Sequence, residues 1–198
     1  MLTDQQEQAA LAAFDHCNAQ DPRQQIVEGQ LHPYALIYGQ RMTEQLALFA
    51  PTASQALRLA ARAQHLERWV IPRQDYPMDR PGYLRWRNAL KAYHARRAGE
   101  ILAEVGAEEE LIGRVAFLLQ KKQLKRDAET QTLEDVICLV FLEHYAEAFA
   151  AQHTEEKVTA ILQKTWRKMS VPGQEAALRL KLPAGVSDLV GRALVKDA

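Results

Sequence analysis

The chain has 198 residues, with 25 basic and 25 acidic side chains, six histidines and no formal net charge. This length suits one domain with a full core, and 47% hydrophobic with 25% charged residues excludes wholesale disorder. The balanced charge argues against general nucleic-acid or membrane binding, because both favour a net basic surface.

Helical periodicity dominates the sequence, in which alanine is abundant and no stretch alternates polar and apolar residues over the length of a strand. Thr3 and Gln6 resemble a capping box at the start of a first helix. A polar connection follows, with a turn at Glu28-Gly29. The predicted helices cover about residues 3–19, 33–49, a third helix that ends near residue 69, 83–105, 108–124, 132–150, 154–169, 174–181 and 185–195.

These elements predict an all-α fold, a single globular domain of about eight helices over residues 1–198. Within it, we expect a core at about residues 33–150, with C-terminal helices at 154–196 packing on it. Cys17 and Cys138 lie in separate apolar segments without a CxxC spacing, so a disulfide framework is not expected.

The first residues, MLTDQQEQAALAAFDHC, lack the basic and continuous apolar regions of a signal peptide. The longest uncharged apolar stretch, at residues 136–142, is far shorter than the ~20 residues of a membrane helix. We therefore expect a cytoplasmic protein with no membrane partner.

Two basic clusters lie on successive helices. His65 and Arg68 are three residues apart and share a face, and Arg87, Lys91 and His94 follow one stripe of the next helix. Such a stripe favours an opposing anion, which solvent, a protein carboxylate or a ligand could supply. The alternatives are a structural histidine near a helix end and a solvated basic face.

The proline-rich loop between these clusters is long enough to be functional. Arg73, Tyr76, Asp79 and Arg80 could clamp an anionic ligand, because guanidinium groups match phosphate and carboxylate geometry. Alternatively, Arg73 and Arg80 pair with Asp75 and Asp79 and order the loop.

A last cluster combines cations and carboxylates. Lys121 and Lys122 precede a helix with Asp135 in its first turn, where the helix dipole stabilises a carboxylate in any case. Glu143 follows an apolar run and is expected to face inward, where it would need a partner such as one of the two histidines.

Several long strings resemble a widespread family of all-α proteins of unknown function, whose members are sometimes labelled glutamyl-tRNA synthetase. They are LRLAARAQHLERW, IPRQDYPMDRPGYLRWR, LKAYHARRAGEIL, QTLEDVICLVFLEHY and ILQKTWRKMSVPGQEAAL. This resemblance spans nearly the whole chain and implies no established activity. The synthetase label finds no ATP-binding signature here.

A weaker resemblance is to the metal-dependent phosphohydrolases with an HD domain. His65 matches the histidine of the His-Asp pair, and His94 matches a later histidine. Tyr38 and Leu66 replace two expected ligands, and Asp135 lies only near the terminal aspartate. The resemblance therefore implies an HD-like helix arrangement without a metal centre.

Three functions follow from these clusters. The first is a pocket lined by arginine and histidine that binds a phosphorylated or otherwise anionic small molecule. The second is a phosphate-ester hydrolase, in which His65 or His94 acts as acid and base beside Asp135 or Glu143. The third is a non-catalytic interaction module. The cofactor, the ligand and a homo-oligomeric state stay open.

Overall fold

A computed structural model describes residues 1–182 and 184–195. These residues are mainly helical with one two-stranded sheet, so the predicted all-α class is confirmed. The chain divides into two compact units, Met1–Gln123 and Leu124–Ala198. The expected core at 33–150 and the expected C-terminal helices at 154–196 have other limits than these two units. The predicted single domain also includes residues 183 and 196–198, which lie outside the described part. No helix among the described residues is long and apolar enough to cross a membrane.

The first unit, all of whose residues are described, has five α-helices, one β-hairpin and two 3-10 turns. These elements are α1 (Asp4–Asn18), β1 (Gln24–Val27), β2 (Gln30–Pro33), α2 (Tyr34–Phe49), α3 (Gln55–Arg62), 3-10 turns at Arg68–Val70 and Arg73–Asp75, α4 (Arg80–Glu104) and α5 (Glu109–Leu119). Helix α5 packs against α3 and α4, and α1 packs against α2, α3 and α4. Their apolar faces enclose one core, whose largest fully buried side chains are Phe14, Met42, Leu46, Leu59, Leu66, Leu90, Ile101, Leu102, Leu118 and Leu119.

Side-chain caps determine where three of these helices begin. The Thr3 hydroxyl accepts the Gln6 N–H while the Gln6 side chain accepts the Thr3 N–H, which confirms the predicted capping box. Ser54 caps α3 and Asp79 caps α4 in the same way, each accepting a backbone N–H of the first turn. These contacts satisfy N–H groups that the helix itself leaves without a partner.

The predicted polar connection after α1 contains the hairpin that periodicity alone missed. Its strands have only four residues each, too few for a visible alternation of polar and apolar side chains. The predicted turn is confirmed, because Glu28 and Gly29 both have positive φ angles, of 50° and 80°. Buried Asp21 fixes the hairpin to the start of α2 by accepting the backbone N–H groups of Arg23 and Ala35 at 3.0 Å.

The third helix is shorter than predicted. It ends at Arg62 instead of near Trp69, and turns carry the chain through residues 63–67. Glu67 has a left-handed backbone (φ 50°), which is incompatible with a right-handed α-helix. A glutamate at this position does not predict such a backbone from the sequence. The predicted helical face shared by His65 and Arg68 is therefore wrong, and their arrangement depends on this turn.

The second unit contains five α-helices in its described residues, Leu124–Leu182 and 184–195. They are α6 (Ala128–His144), α7 (Ala146–Ala151), α8 (Glu155–Lys168), α9 (Val171–Leu178) and α10 (Ala184–Val195). The predicted sixth helix begins earlier than expected because Asp127 caps it, and it divides at Tyr145, where the backbone leaves helical geometry. Helix α6 packs against α8 and α9, and α10 packs against α7 and α8. Cys17 and Cys138 are both free and buried, which agrees with the absence of a disulfide framework.

A buried carboxylate links α1 and α3, and it provides a first testable prediction. Glu7 is 5% exposed and accepts hydrogen bonds from Arg58 Nε and Nη2, both at 2.8 Å, and from Gln55 Nε2 at 2.9 Å. The Arg58 hydrogen bonds hold the pKa of Glu7 below its usual value against the opposing effect of burial. We expect Glu7→Gln to lower the free energy of unfolding by about 2 kcal/mol at pH 7, since Gln cannot accept all of these bonds.

Because the pKa of Glu7 is lowered in the folded protein, its carboxylate contributes its full stabilisation above the ordinary Glu pKa. This stabilisation is lost as the pH falls through the pKa that Glu7 has in the folded protein. Urea unfolding of the wild type and of Glu7→Gln at pH 7 and at pH 3 measures the loss directly. Glu109→Gln, at an exposed position in the first turn of α5, is the matched control. A difference between wild type and Glu7→Gln that stays constant over this range would contradict the prediction.

Candidate functional site

Two histidines that are far apart in sequence meet inside the first unit. His65 lies in the turns after α3, His94 lies in the middle of α4, and the centroids of their rings are 6.2 Å apart. The buried side chain of Leu66 anchors the turn beside His65, and His94 is itself 3% exposed. The sequence hypothesis that these two imidazoles share one site agrees with this geometry.

Aromatic rings and a backbone carbonyl hold the two imidazoles in place. The ring of Tyr38, from α2, stacks on His65 with centroids 3.9 Å apart and an interplanar angle of 20°. The ring of Tyr93 meets His94 edge-on at 6.3 Å. His94 also donates a ring N–H to the backbone carbonyl of Gln64. The rings are thus pre-oriented by contacts from three separate segments.

Each imidazole nevertheless keeps one buried nitrogen that makes no hydrogen bond within the protein. These atoms are Nδ1 of His65 and Nε2 of His94, and the side-chain oxygen of the neighbouring Gln64 shares this property. Buried polar atoms in folded proteins nearly always have a partner, and those that lack one call for an explanation. The cluster therefore has hydrogen-bonding capacity that the surrounding protein does not use.

Burial keeps both histidines neutral. Burial, together with the positive charges of Arg68 and Lys121, lowers the pKa of His94 to about 3. The pKa of His65 lies well below its ordinary value for the same principal reason, with Arg68, His94 and Lys121 adding to the effect. The His65 residue retains some solvent-accessible surface, whereas its Nδ1 atom and Nε2 of His94 are both buried.

The charged groups acting on these imidazoles are cations. Arg68 is the largest electrostatic cause for both, Lys121 acts on both, and Arg23 acts on His65. The principal causes of the two pKa shifts include no carboxylate. Burial lowers the pKa of Arg68 itself, and the charges of Arg23 and Arg87 add to that effect. In the part of the chain that the structure describes, Arg68 forms no ion pair with a carboxylate.

A family model of a domain of unknown function, DUF4202, matches residues 8–190 of the chain. The chain belongs to the DUF4202 family. This confirms the resemblance to an all-α family of unknown function that its sequence strings indicated. No curated protein and no solved structure matches this DUF4202 chain. The geometry of the site is therefore the main guide to its chemistry, and the resemblance to HD-domain enzymes stays a prediction.

The proline-rich loop of this DUF4202 domain is ordered by arginine stacked on aromatic rings. The guanidinium carbon of Arg68 lies 4.7 Å from the ring centroid of Trp86, and that of Arg73 lies 5.9 Å from the same ring. The guanidinium carbon of Arg87 lies 5.8 Å from the ring centroid of Tyr83. Trp86 is fixed in turn, since its Nε1–H donates to the Ile71 carbonyl at 2.9 Å. Stacking of this kind places Arg68 without neutralising it.

Glu67 is a functional candidate that the sequence analysis missed. Its Oε2 accepts the Tyr93 hydroxyl at 2.8 Å and Arg97 Nε at 3.1 Å, and its backbone N–H donates to Asn18 Oδ1 at 3.0 Å. Burial and the Glu67 hydrogen bond raise the pKa of Tyr93 to about 12. These contacts hold the left-handed backbone between His65 and Arg68. A glutamate two residues after a histidine carries no local signal of that role.

The remaining predicted ligand-binding residues divide into three groups. Arg73 donates to the carbonyls of Tyr76 and Pro77 at 2.9 and 2.8 Å, so it orders the loop, although by carbonyls instead of the predicted Asp75 and Asp79. Arg80 and Lys122 are exposed, which favours neither as a ligand-binding residue. The partly buried residues are Tyr76, Arg87, Lys91 and Lys121.

In the second unit, Asp135 has a structural role. It is buried, and it accepts Ser170 N–H at 2.8 Å, Ser170 Oγ at 2.6 Å and Gln131 Nε2 at 3.0 Å. Ser170 in turn caps α9. Both carboxylate oxygens of Asp135 are therefore occupied by contacts that place the start of this helix.

Glu143 corrects a sequence prediction. It was expected to face inward beside a histidine of the first unit, but it is exposed, and its Oε2 lies 3.6 Å from Nε2 of His144. The apolar residues before Glu143 form the buried face of α6. The helical repeat of 3.6 residues places Glu143 outside that face, at the surface. Among the described residues, no three His, Cys, Asp or Glu side chains converge in a group that could hold a metal ion.

Proposed function

We propose that the first unit of this DUF4202 protein binds an anionic small molecule at the cluster of His65, His94 and Arg68. The observation that carries this proposal is Arg68, a guanidinium whose pKa burial lowers and which forms no ion pair with a carboxylate in the described part of the chain. A desolvated cation without a counter-charge is costly, and an anionic ligand would remove that cost.

The surroundings of Arg68 support an anion instead of a cation. Arg87 and Arg23 act on it with positive charge, and Lys121 acts on the adjacent imidazoles. Guanidinium groups bind phosphate and carboxylate through paired, charge-assisted hydrogen bonds. Trp86, stacked on Arg68, limits the positions available to that guanidinium and so lowers the entropy lost on binding.

The hydrolase alternative has less support. A histidine that acts as acid and base at neutral pH has a pKa near the working pH, usually with a carboxylate that orients it. His94 has a pKa of about 3, and the principal groups that shift the pKa of either ring include no carboxylate. The interaction-module alternative draws, among the described residues, on small groups of exposed apolar side chains, such as the paired Ile26 and Leu31 of the hairpin. Exposed apolar side chains in such small numbers are common on protein surfaces.

Titration with inorganic phosphate tests the proposal. We expect phosphate to stabilise the wild type in thermal unfolding and to move the imidazole NMR signals of His65 and His94. Arg68→Gln should weaken phosphate binding by at least about tenfold, because a charge-assisted hydrogen bond contributes roughly 1.5–3 kcal/mol.

Arg85→Gln is the matched control, since Arg85 is an exposed arginine of α4. It should leave phosphate affinity unchanged. Equal affinities of the wild type and Arg68→Gln, or unmoved histidine signals at saturating phosphate, would contradict the assignment of the site.

A further inference from the structure

The unused hydrogen-bonding atoms of the cluster define more of the ligand than its charge. His65 Nδ1 and His94 Nε2 are both buried and make no hydrogen bond within the protein, and their rings are 6.2 Å apart. Arginine and lysine can neutralise an anion, but they offer only donors. A neutral imidazole also carries one acceptor nitrogen, which only a donor group of the ligand, and not its anionic group, can match.

The tautomer of His94 shows which role its free nitrogen has. The backbone carbonyl of Gln64 can only accept a hydrogen bond, so the imidazole nitrogen facing it carries the hydrogen. That nitrogen is Nδ1, because Nε2 has no partner. In a neutral ring the second nitrogen is then an acceptor with a lone pair. His94 thus presents a buried acceptor, beside cations that attract negative charge.

A divalent metal ion would also use such a lone pair, but the charges at this site oppose it. The positive charges of Arg68 and Lys121 act on both imidazoles and disfavour a further cation there. Metal ligation normally gathers several His, Cys or carboxylate groups, and the described residues offer no group of three. A neutral hydroxyl satisfies the lone pair without adding positive charge.

We propose that the ligand of this site is a hydroxylated anion, in which a hydroxyl group donates to His94 Nε2 while the phosphate or carboxylate of the same molecule binds Arg68. This inference rests on the anion-binding function proposed above. The His65 ring, whose centroid is 6.2 Å from that of His94, adds a second buried nitrogen to the same cluster. The ligand class is therefore a phosphorylated polyol or a hydroxy acid, and not a simple alkyl phosphate or carboxylate.

Calorimetry with two matched pairs of ligands tests the inference on the wild-type chain. Glycerol 3-phosphate is compared with n-propyl phosphate, and malate with succinate, so that the first pair reports a phosphate ligand and the second a carboxylate ligand. Titrations at pH 8 keep the phosphate monoester fully ionised, because its second pKa is about 6. We expect the hydroxylated member of at least one pair to bind at least about tenfold more tightly, since the other member leaves a buried acceptor without a partner.

Variants assign this preference to the histidines. His94→Phe should bind both members of the preferred pair equally while it keeps most of the affinity for the member without hydroxyl groups. His16→Phe, at an exposed position of α1, is the control and should retain the preference. If His94→Phe fails to fold, the comparison of ligand pairs on the wild type and on His65→Phe still decides the matter.

The outcomes separate this inference from the function on which it rests. Equal binding within both pairs would overturn the inference and leave anion binding intact. Failure of all four ligands to bind would overturn both. Stabilisation of the wild type by Zn²⁺ alone, lost in His94→Phe, would overturn the inference in favour of a metal site.

Discussion

Lowering the pH from 7 to 5 is expected to destabilise the protein by about 2 kcal/mol through His94 alone. The folded-state pKa of His94 is about 3, because burial is opposed only by the hydrogen bond to the Gln64 carbonyl, and Arg68 and Lys121 lower the pKa further. In the unfolded chain the same group titrates near 6.5. Between pH 7 and 5, His94 therefore takes up a proton in the unfolded state but stays neutral in the folded state.

The sign follows from that difference in proton uptake. The stability contribution is complete above the unfolded value near 6.5 and is lost progressively as the pH falls toward the folded value of about 3. His65, whose pKa is also lowered well below the ordinary value, acts in the same direction. Carboxylates such as Glu7 lose their stabilising contribution mainly below their ordinary pKa, so the change in stability from pH 7 to 5 comes mainly from histidines.

Urea unfolding at pH 7, 6 and 5 measures this loss, and His94→Gln should reduce it by about 2 kcal/mol over the interval. His16→Gln, which replaces an exposed histidine, is the control and should not change the dependence on pH. NMR titration of the folded protein gives an independent measurement, in which the His94 ring should remain neutral at pH 5. Protonation of His94 above that pH in the folded state would contradict the assigned burial.

Replacement of Gly173 by alanine is expected to destabilise the second unit by about 2 kcal/mol or more. A Cβ atom at this position would lie 2.7 Å from both Cγ and Oδ1 of Asp135. Asp135 cannot withdraw easily, because its two oxygens accept the N–H and the hydroxyl of Ser170. The added methyl group must therefore break these hydrogen bonds or displace the start of α9.

The matched control is Gly191→Ala in α10, where an added Cβ would meet no atom within 4 Å. Because alanine has a higher helix propensity than glycine at an exposed position inside a helix, this variant should be more stable than the wild type by about 0.5–1 kcal/mol. Urea unfolding measures both variants by fluorescence, to which Trp166 of α8 contributes beside Trp69 and Trp86 of the first unit. A double variant with Asp135→Ala should lose less than the two single losses combined, since the clash is then absent. Strictly additive losses would contradict the proposed contact.

Local sequence patterns determined much of the fold of this protein. The helical period, the capping box at Thr3 and the turn at Glu28-Gly29 depend on residues that are close in the chain. The helices α2 and α8 therefore lie near their predicted limits. The same reasoning selected His65 and His94, because cationic and imidazole side chains were concentrated on consecutive segments.

The site itself was decided by tertiary structure. The left-handed backbone of Glu67 depends on Asn18, Tyr93 and Arg97, contributed by two other helices, and no local pattern encodes such contacts. The exposure of Glu143 and the capping role of Asp135 depend likewise on which face of α6 is buried. A sequence thus shows which side chains are available, whereas packing between distant segments decides which atoms meet, how far water is excluded and hence which groups carry charge.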